Sequence, residues 1–222
     1  TEARLVGQFG VSRTVVREAV SRLKSLGLVD SRQGSGVFVC ASASFAPLQF
    51  EAEHAASQAA VVQMVEVRRA LEAEVAALAA QRRNGADIRA IAQAVKALDS
   101  AVRAGRNGVD EDMKFHRAIA DAARNPFLIQ TLEYLGQFLR GVTQVTRANE
   151  ARRVDFASEV QAEHLAILEA VKAGDAGQAR QAAATHMGNA IVRIRSADPA
   201  FWQQEGERLA QPLVKGVKRD QP

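Results

Sequence analysis

From residue 59 to residue 196 apolar side chains recur at intervals of three and four, in stretches too long for strands. That spacing lines them along one side of a 3.6-residue helix, so repeated stretches of it leave helices packed on helices as the main solution. The segments read as helices over 59–83, 87–105, 109–124, 126–148, 156–173 and 175–196, with a short one near 199–211. Asp87 and Asp175 suit helix starts, Pro126 suits a first turn, and Asn84-Gly85 and Gly174 mark joints. The chain is 47% hydrophobic but only 5% aromatic and is rich in alanine, which again favours helix.

The apolar stripes have polar intruders. Asp112 and His116 stand four apart on the stripe of Val109, Ile119, Ala120 and Ala123. His164 shares a stripe with Val160, Ile167, Leu168 and Val171, and His186 shares one with Ala179, Ala183, Ala190 and Ile194. A buried carboxylate is costly unless it is paired or bound to a metal. Taken singly, each histidine reads as a core residue hydrogen-bonded to backbone, and Asp112 as a salt-bridge partner. Taken together, three imidazoles and one carboxylate suit a divalent cation such as Zn, Ni or Mn, with one or two positions left for water or ligand. Arg68 and Glu72 lie on the stripe of Val61, Val65, Leu71 and Val75. Arg68 reads either as a clamp for a ligand carboxylate or as the partner of Glu72 in an internal salt bridge.

Residues 1–40 have a different character. EARLVGQF reads as a short helix with Leu5, Val6 and Phe9 inward, broken by Gly10. Ser12 is placed to cap a second helix whose stripe is Val16, Ala19, Val20, Leu23 and Leu26, closed by Gly27. Two β-prone runs, Leu28–Ser31 and Val37–Cys40, flank a Gly34/Gly36 turn. Two helices followed by a hairpin is the order of a winged helix-turn-helix. Its second helix would enter the DNA major groove by its N-terminal end. Arg13, Thr14 and Arg17 occupy the face away from the stripe, where two guanidiniums can reach a phosphate and a base edge. Ser12 and the free N–H groups beside it can take a phosphate, and Arg32 and Gln33 sit at the wing tip. The alternative is that Arg13 and Arg17 form only a solvated face, with Arg17 paired to a carboxylate. Residues 41–58 lack a period, hold Pro47 and His54, and read as a linker; His54 there is expected to be solvated.

EARLVGQFGVSRTVVREAVSRLKSLGLVDSRQGSGVFV resembles the winged helix of the GntR family of bacterial transcription regulators. The resemblance implies operator contacts from Ser12, Arg13, Thr14 and Arg17, with Gly34 in the wing close to the DNA backbone. One position departs from it: Ala3 stands where family members commonly carry a DNA-contacting arginine. The family's first helix is expected to precede Thr1. DMKFHRAIADAARNP, EHLAILEAVKAGD and ARQAAATHM resemble the FadR-type C-terminal ligand-binding (FCD) domain, an antiparallel helical bundle. That resemblance implies a metal held by Asp112, His116, His164 and His186. Through the pattern Glu66, Arg68, Leu71 and Glu72, it also implies an arginine facing the effector. FadR itself lacks the metal set, so a fatty acyl effector is not implied.

The expected architecture is mostly α: a winged helix over 1–40, a linker over 41–58, an all-α antiparallel bundle over 59–212 and a polar tail over 213–222. The expected function is a ligand-responsive repressor that binds operator DNA as a homodimer. Its effector would be a small carboxylate, such as a sugar acid or hydroxy acid. The formal charge of +4 does not by itself require nucleic acid. The single cysteine, Cys40, excludes an internal disulfide framework and fits a cytoplasmic protein. No apolar run approaches the roughly 20 residues of a membrane span, and no signal peptide is visible. The rival reading is a metal-dependent hydrolase or lyase. Against it, HExxH is absent, no general base stands beside the ligands, and the DNA-binding module would have no role. A third reading is a regulator whose metal is structural or is itself the signal.

Overall fold

The computed structural model describes residues 1–25, 28–32, 36–39 and 57–210. The chain divides into two units, residues 1–49 and 50–222.

In the first unit α1 (Glu2–Phe9) and α2 (Arg13–Ser25) precede an antiparallel hairpin of β1 (Val29–Arg32) and β2 (Gly36–Val39). Thr1 caps α1, and Gly10 ends it in the left-handed conformation, at φ 64°. Ser12 Oγ accepts from the Val15 N–H at 3.3 Å, as its place before α2 predicts. Val29 pairs with Val39 and Arg32 with Gly36. The ladder therefore runs one residue closer to the turn than the β-prone runs suggest, because cross-strand partners set its end. Lys24 Nζ donates to Ser31 Oγ at 2.9 Å and ties α2 to β1. Val16 and Val20 are buried, but three residues read as inward are not: Ala19 is exposed, Leu23 is 39% exposed and Phe9 is 64% exposed. Periodicity marks an apolar face without saying what covers it. Leu26, Gly27, Gln33, Gly34, Cys40 and His54 fall outside the described residues, as do the side chain of Arg32, most of the linker and the polar tail.

The second unit is the helical bundle: α3 (Gln58–Arg82), α4 (Gly85–Arg103), α5 (Val109–Ala122), α6 (Pro126–Glu150), α7 (Val154–Ala173) and α8 (Ala176–Arg195). The segment expected as a short helix near 199–211 is helical through Ala210, with a π turn (Trp202–Gly206) between α9 (Pro199–Phe201) and α10 (Glu207–Ala210). Gly206 lies so close to the Trp202 ring that a Cβ would come within 2.5 Å of it. The start of α4 is corrected. Asn84, not Asp87, is the cap, and Asp87 is the third residue of the helix, its carboxylate accepting from the Asn84 N–H at 2.7 Å. Asp175 and Pro126 occupy the places expected of them at α8 and α6.

The long helix α3 is apolar on several faces and packs most extensively on α8. Its core falls into two apolar halves. One gathers Val61 and Val65 of α3 with Val142 of α6 and Met187 and Ile194 of α8. The other gathers Val75 and Ala79 of α3 with Phe115 of α5, Ile167 of α7 and Ala183 of α8. Arg68 and Glu72 fall between the two sets along α3, as His186 does along α8. The polar intruders thus form a band between two oily halves. No helix among the described residues is long and apolar enough to cross a membrane.

Candidate metal centre

The band is built by backbone positions that leave the side chains little choice. α5 starts at Gly108, whose φ of 70° suits glycine; a Cβ there would meet Leu98 Cδ1 at 2.8 Å and Arg147 Nη2 at 3.2 Å. The Asp112 N–H donates to Gly108 O at 2.9 Å, so Asp112 belongs to the first turn. There the partial positive charge of the helix end favours its carboxylate, and one turn later His116 stacks above it. His164 comes from the middle of α7 and His186 from the middle of α8.

These four residues converge. The three histidines offer ring nitrogens that all lie within 4.8 Å of one another. Asp112 Oδ2 is 3.6 Å from His116 Nε2, and Asp112 Oδ1 is 3.6 Å from His164 Nε2. Both separations are too long for hydrogen bonds. They do match the roughly 3–3.6 Å between neighbouring donors that each lie about 2.1 Å from one cation. Asp112 and His186 are 5% exposed and His164 is 0% exposed. Neither ring nitrogen of His164, nor Nε2 of His116, has a hydrogen-bond partner in the protein. Backbone hydrogen bonding, the ordinary account of a core histidine, therefore does not hold for His164. Burial first, then the neighbouring imidazoles, keeps His164 well below the usual histidine range and therefore neutral at pH 7. Burial likewise lowers His186, although Glu163 pulls the other way. Neutral imidazoles with free lone pairs around a carboxylate are a donor set for a divalent cation, so the residues present fit such an ion.

Two carboxylates orient the rings from outside. Glu163 Oε2 is 2.7 Å from His186 Nδ1, and Glu72 Oε2 is 2.6 Å from His116 Nδ1. Each places the proton on Nδ1 and leaves Nε2 facing inward. Burial disfavours the charge on Glu72, but Arg68 and His116 outweigh it and hold the carboxyl below the ordinary carboxylate range. Burial also opposes Glu163, yet hydrogen bonds from His186 and Arg193 push it down to about 2. Glu163 was not singled out from the sequence, nor was the cluster behind it. Arg193 Nη1 and Nη2 donate to Glu163 at 2.8 and 3.0 Å, and Arg193 Nε donates to Glu150 at 3.2 Å. Arg147 Nη1 donates to Glu150 at 3.0 Å, and Arg147 Nε donates to Asn107 O at 3.1 Å. A signal was there: Arg147 and Glu150 recur at helical spacing with Val142 and Thr143, as Asp112 does on its own stripe.

Arg68 makes the internal pair with Glu72 that is one of its two sequence readings. Its Nε donates to Glu72 Oε1 at 2.7 Å and its Nη1 to Thr143 Oγ1 at 3.2 Å. It also lines a cavity of about 450 Å³ shared with His116, Glu72 and Thr143. The walls are Met113, Ala120, Ile129, Leu132, Gly136 and Leu139, and the mouth carries Lys114, Arg117 and Glu133. Arg117 is held by Asp121 at 2.7 Å and by Glu133.

In the first unit Ser12, Arg13, Thr14 and Arg17 are all exposed, at or near the start of α2. Among the described residues neither Arg13 nor Arg17 has an ion pair, so the pairing considered for Arg17 is not found. Ala3 is exposed on α1.

Comparison with known proteins places both units. The FCD domain matches residues 63–189, and the family of bacterial regulatory proteins called gntR matches residues 1–39. The HTH-type transcriptional regulator LutR of Bacillus subtilis is 35% identical over 190 residues, covering 83% of this chain and 85% of its own. The galactonate operon transcriptional repressor of Escherichia coli is 26% identical over 200 residues, covering 87% and 86%. Among solved structures, E. coli McbR/YncC superposes with a TM-score of 0.56 at 20% identity, over 87% of this chain and 85% of that one, a likeness of fold. With its winged helix, its helical bundle and these relatives, the chain belongs to the GntR family of bacterial regulatory proteins, and is a DNA-binding transcription regulator with an FCD domain rather than an enzyme.

Proposed function

We propose that this regulator is a repressor, binding its operator as a homodimer and released by a small carboxylate that docks on a divalent cation in the bundle. One observation carries the reading: four donors converge, His164 and the inward nitrogen of His116 have no protein partner, and His116 borders a cavity that Arg68 also lines. Asp112, His116, His164 and His186 would hold the cation; Zn, Ni and Mn all suit this donor set. The cation supplies an electrophilic anchor for a carboxylate and an adjacent hydroxyl, and Arg68 takes a remaining anionic oxygen. Of the two relatives named above, the galactonate operon repressor has a name that specifies a sugar acid, and that name describes that protein. On the DNA side, Ser12, Arg13, Thr14 and Arg17 would meet the operator, with Arg32 and Gly34 of the wing beside them. The two-fold symmetry usual in operators favours a dimer.

The test pairs elemental analysis with operator binding. Asp112→Ala should empty or weaken the metal site and abolish the response to effector. Arg68→Ala should keep its metal and its operator affinity yet need roughly 10–100-fold more effector, the loss of one charge-assisted contact. Arg13→Ala and Arg17→Ala should instead weaken operator binding with the metal untouched. Full metal occupancy in a His164→Ala/His186→Ala protein defeats the metal reading, and an Arg68→Ala protein that responds like wild type defeats the clamp.

A further inference from the structure

The cavity beside the histidines is two-sided, and its two sides ask for different parts of one molecule. At the inner end stand Arg68, Thr143 and His116; the walls are apolar, with Ile129, Leu132 and Leu139 among them. Among the described residues, the side chains of the wall between Thr143 and the mouth are apolar or, for Met113, offer only a weak sulfur acceptor. Backbone groups there are engaged within α5 and α6. A hydroxyl placed against such a wall loses water and gains no partner. A chain of hydroxyls, as in a sugar acid, loses several at once. An apolar body loses nothing there and gains by leaving water.

Charge narrows the head group. At the inner end Arg68 contributes one positive charge, and Glu72 and Asp112 one negative charge each. A divalent cation on the four donors leaves a balance of one positive charge, which a single carboxylate neutralises. Lys114 and Arg117 lie at the mouth in water, where pairing with a second carboxylate is worth little. The volume, about 450 Å³, suits a small molecule larger than a three-carbon acid.

Resting on the metal-and-carboxylate reading above, we infer that the effector is a monocarboxylic acid with a hydroxyl or oxo group on the next carbon and an apolar alkyl or aryl body. The head meets the cation and Arg68, and the body lies along α5 and α6. The structure also supplies a control position. Gly136 lines the cavity, and a Cβ built there has nothing within 4 Å. A larger residue at this point in α6 fills the body's space without touching the inner end, and replacing a mid-helix glycine favours folding.

The test is calorimetric titration of the metal-loaded protein with lactate, gluconate, 2-hydroxyoctanoate and 3-phenyllactate, on wild type and Gly136→Leu. The expected result is that one or both of the last two acids bind at least about tenfold tighter than lactate or gluconate. Gly136→Leu should remove that advantage and leave lactate within about twofold of its wild-type affinity. Gluconate binding as tightly as the apolar-bodied acids overturns this inference while the carboxylate-sensor reading stands. An advantage that survives Gly136→Leu places the body elsewhere and also overturns it. If none of the four acids binds the metal-loaded protein, the sensor reading falls and this inference falls with it.

Discussion

Two polar clusters lie side by side inside the bundle and are built on opposite plans. In the cluster of Arg147, Glu150, Arg193 and Glu163, cations and carboxylates alternate and hydrogen-bond to one another. In the cluster of Asp112, His116, His164 and His186, the donors face one another and three ring nitrogens, both of His164 and Nε2 of His116, have no partner in the protein. Both are buried, so burial does not separate structural from functional polarity here. What separates them is closure: the first satisfies itself, and the second does not. Glu163 belongs to both, because it receives Arg193 on one side and His186 on the other.

The largest effect should come from opening the closed cluster. Glu150→Ala leaves Arg147 with Asn107 O alone while Arg193 keeps Glu163, and burial already raises Glu150 to about 7, so the loss should lie at the low end for a broken buried pair, about 3 kcal/mol. Denaturant unfolding of metal-free protein measures it, and a loss below about 1 kcal/mol would mean that water or rearrangement closes the cluster instead. Next comes the shared member. Glu163→Gln keeps the shape but removes the charge that orients His186. Metal affinity should fall by about 10–100-fold in a competition titration with a chelator. Unchanged affinity would make the two clusters independent. The smallest effect sets the baseline. Arg180 and Glu74 form the same kind of pair at 2.8 Å, but each side chain is about half exposed. Arg180→Ala should cost under about 1 kcal/mol and leave metal content alone.

The same contrast explains what could be read from the sequence. Asp112, His164 and His186 were legible because each interrupts an apolar stripe, and the structure buries all three. Arg68 is legible for the same reason, and the structure gives it both the Glu72 pair and a place on the cavity wall. Glu163 was not legible: one residue before His164, it falls about 100° round the helix from the stripe and reads as surface. Its partner Arg193 lies on another helix, thirty positions on. The winged helix shows the reverse failure. Its order of elements is plain in the sequence, yet Phe9 and Leu23, which the period places inward, are exposed. The cavity, which decides what kind of molecule fits, has no signature in any one helix, since α3, α5 and α6 each supply part of its lining.

Of the four proposed ligands, His116 alone lines the large cavity, while His164 has no exposure at all. On the proposed reading, an ion held there would border the space the effector takes at His116. On that reading arrival and departure would have an order: the ion enters before the acid and leaves after it. A bound acid would stopper the site, so stripping by a chelator should slow as the acid's concentration rises. The cation would then be a long-lived fitting of the protein, and the acid the component that comes and goes on the timescale of a signal.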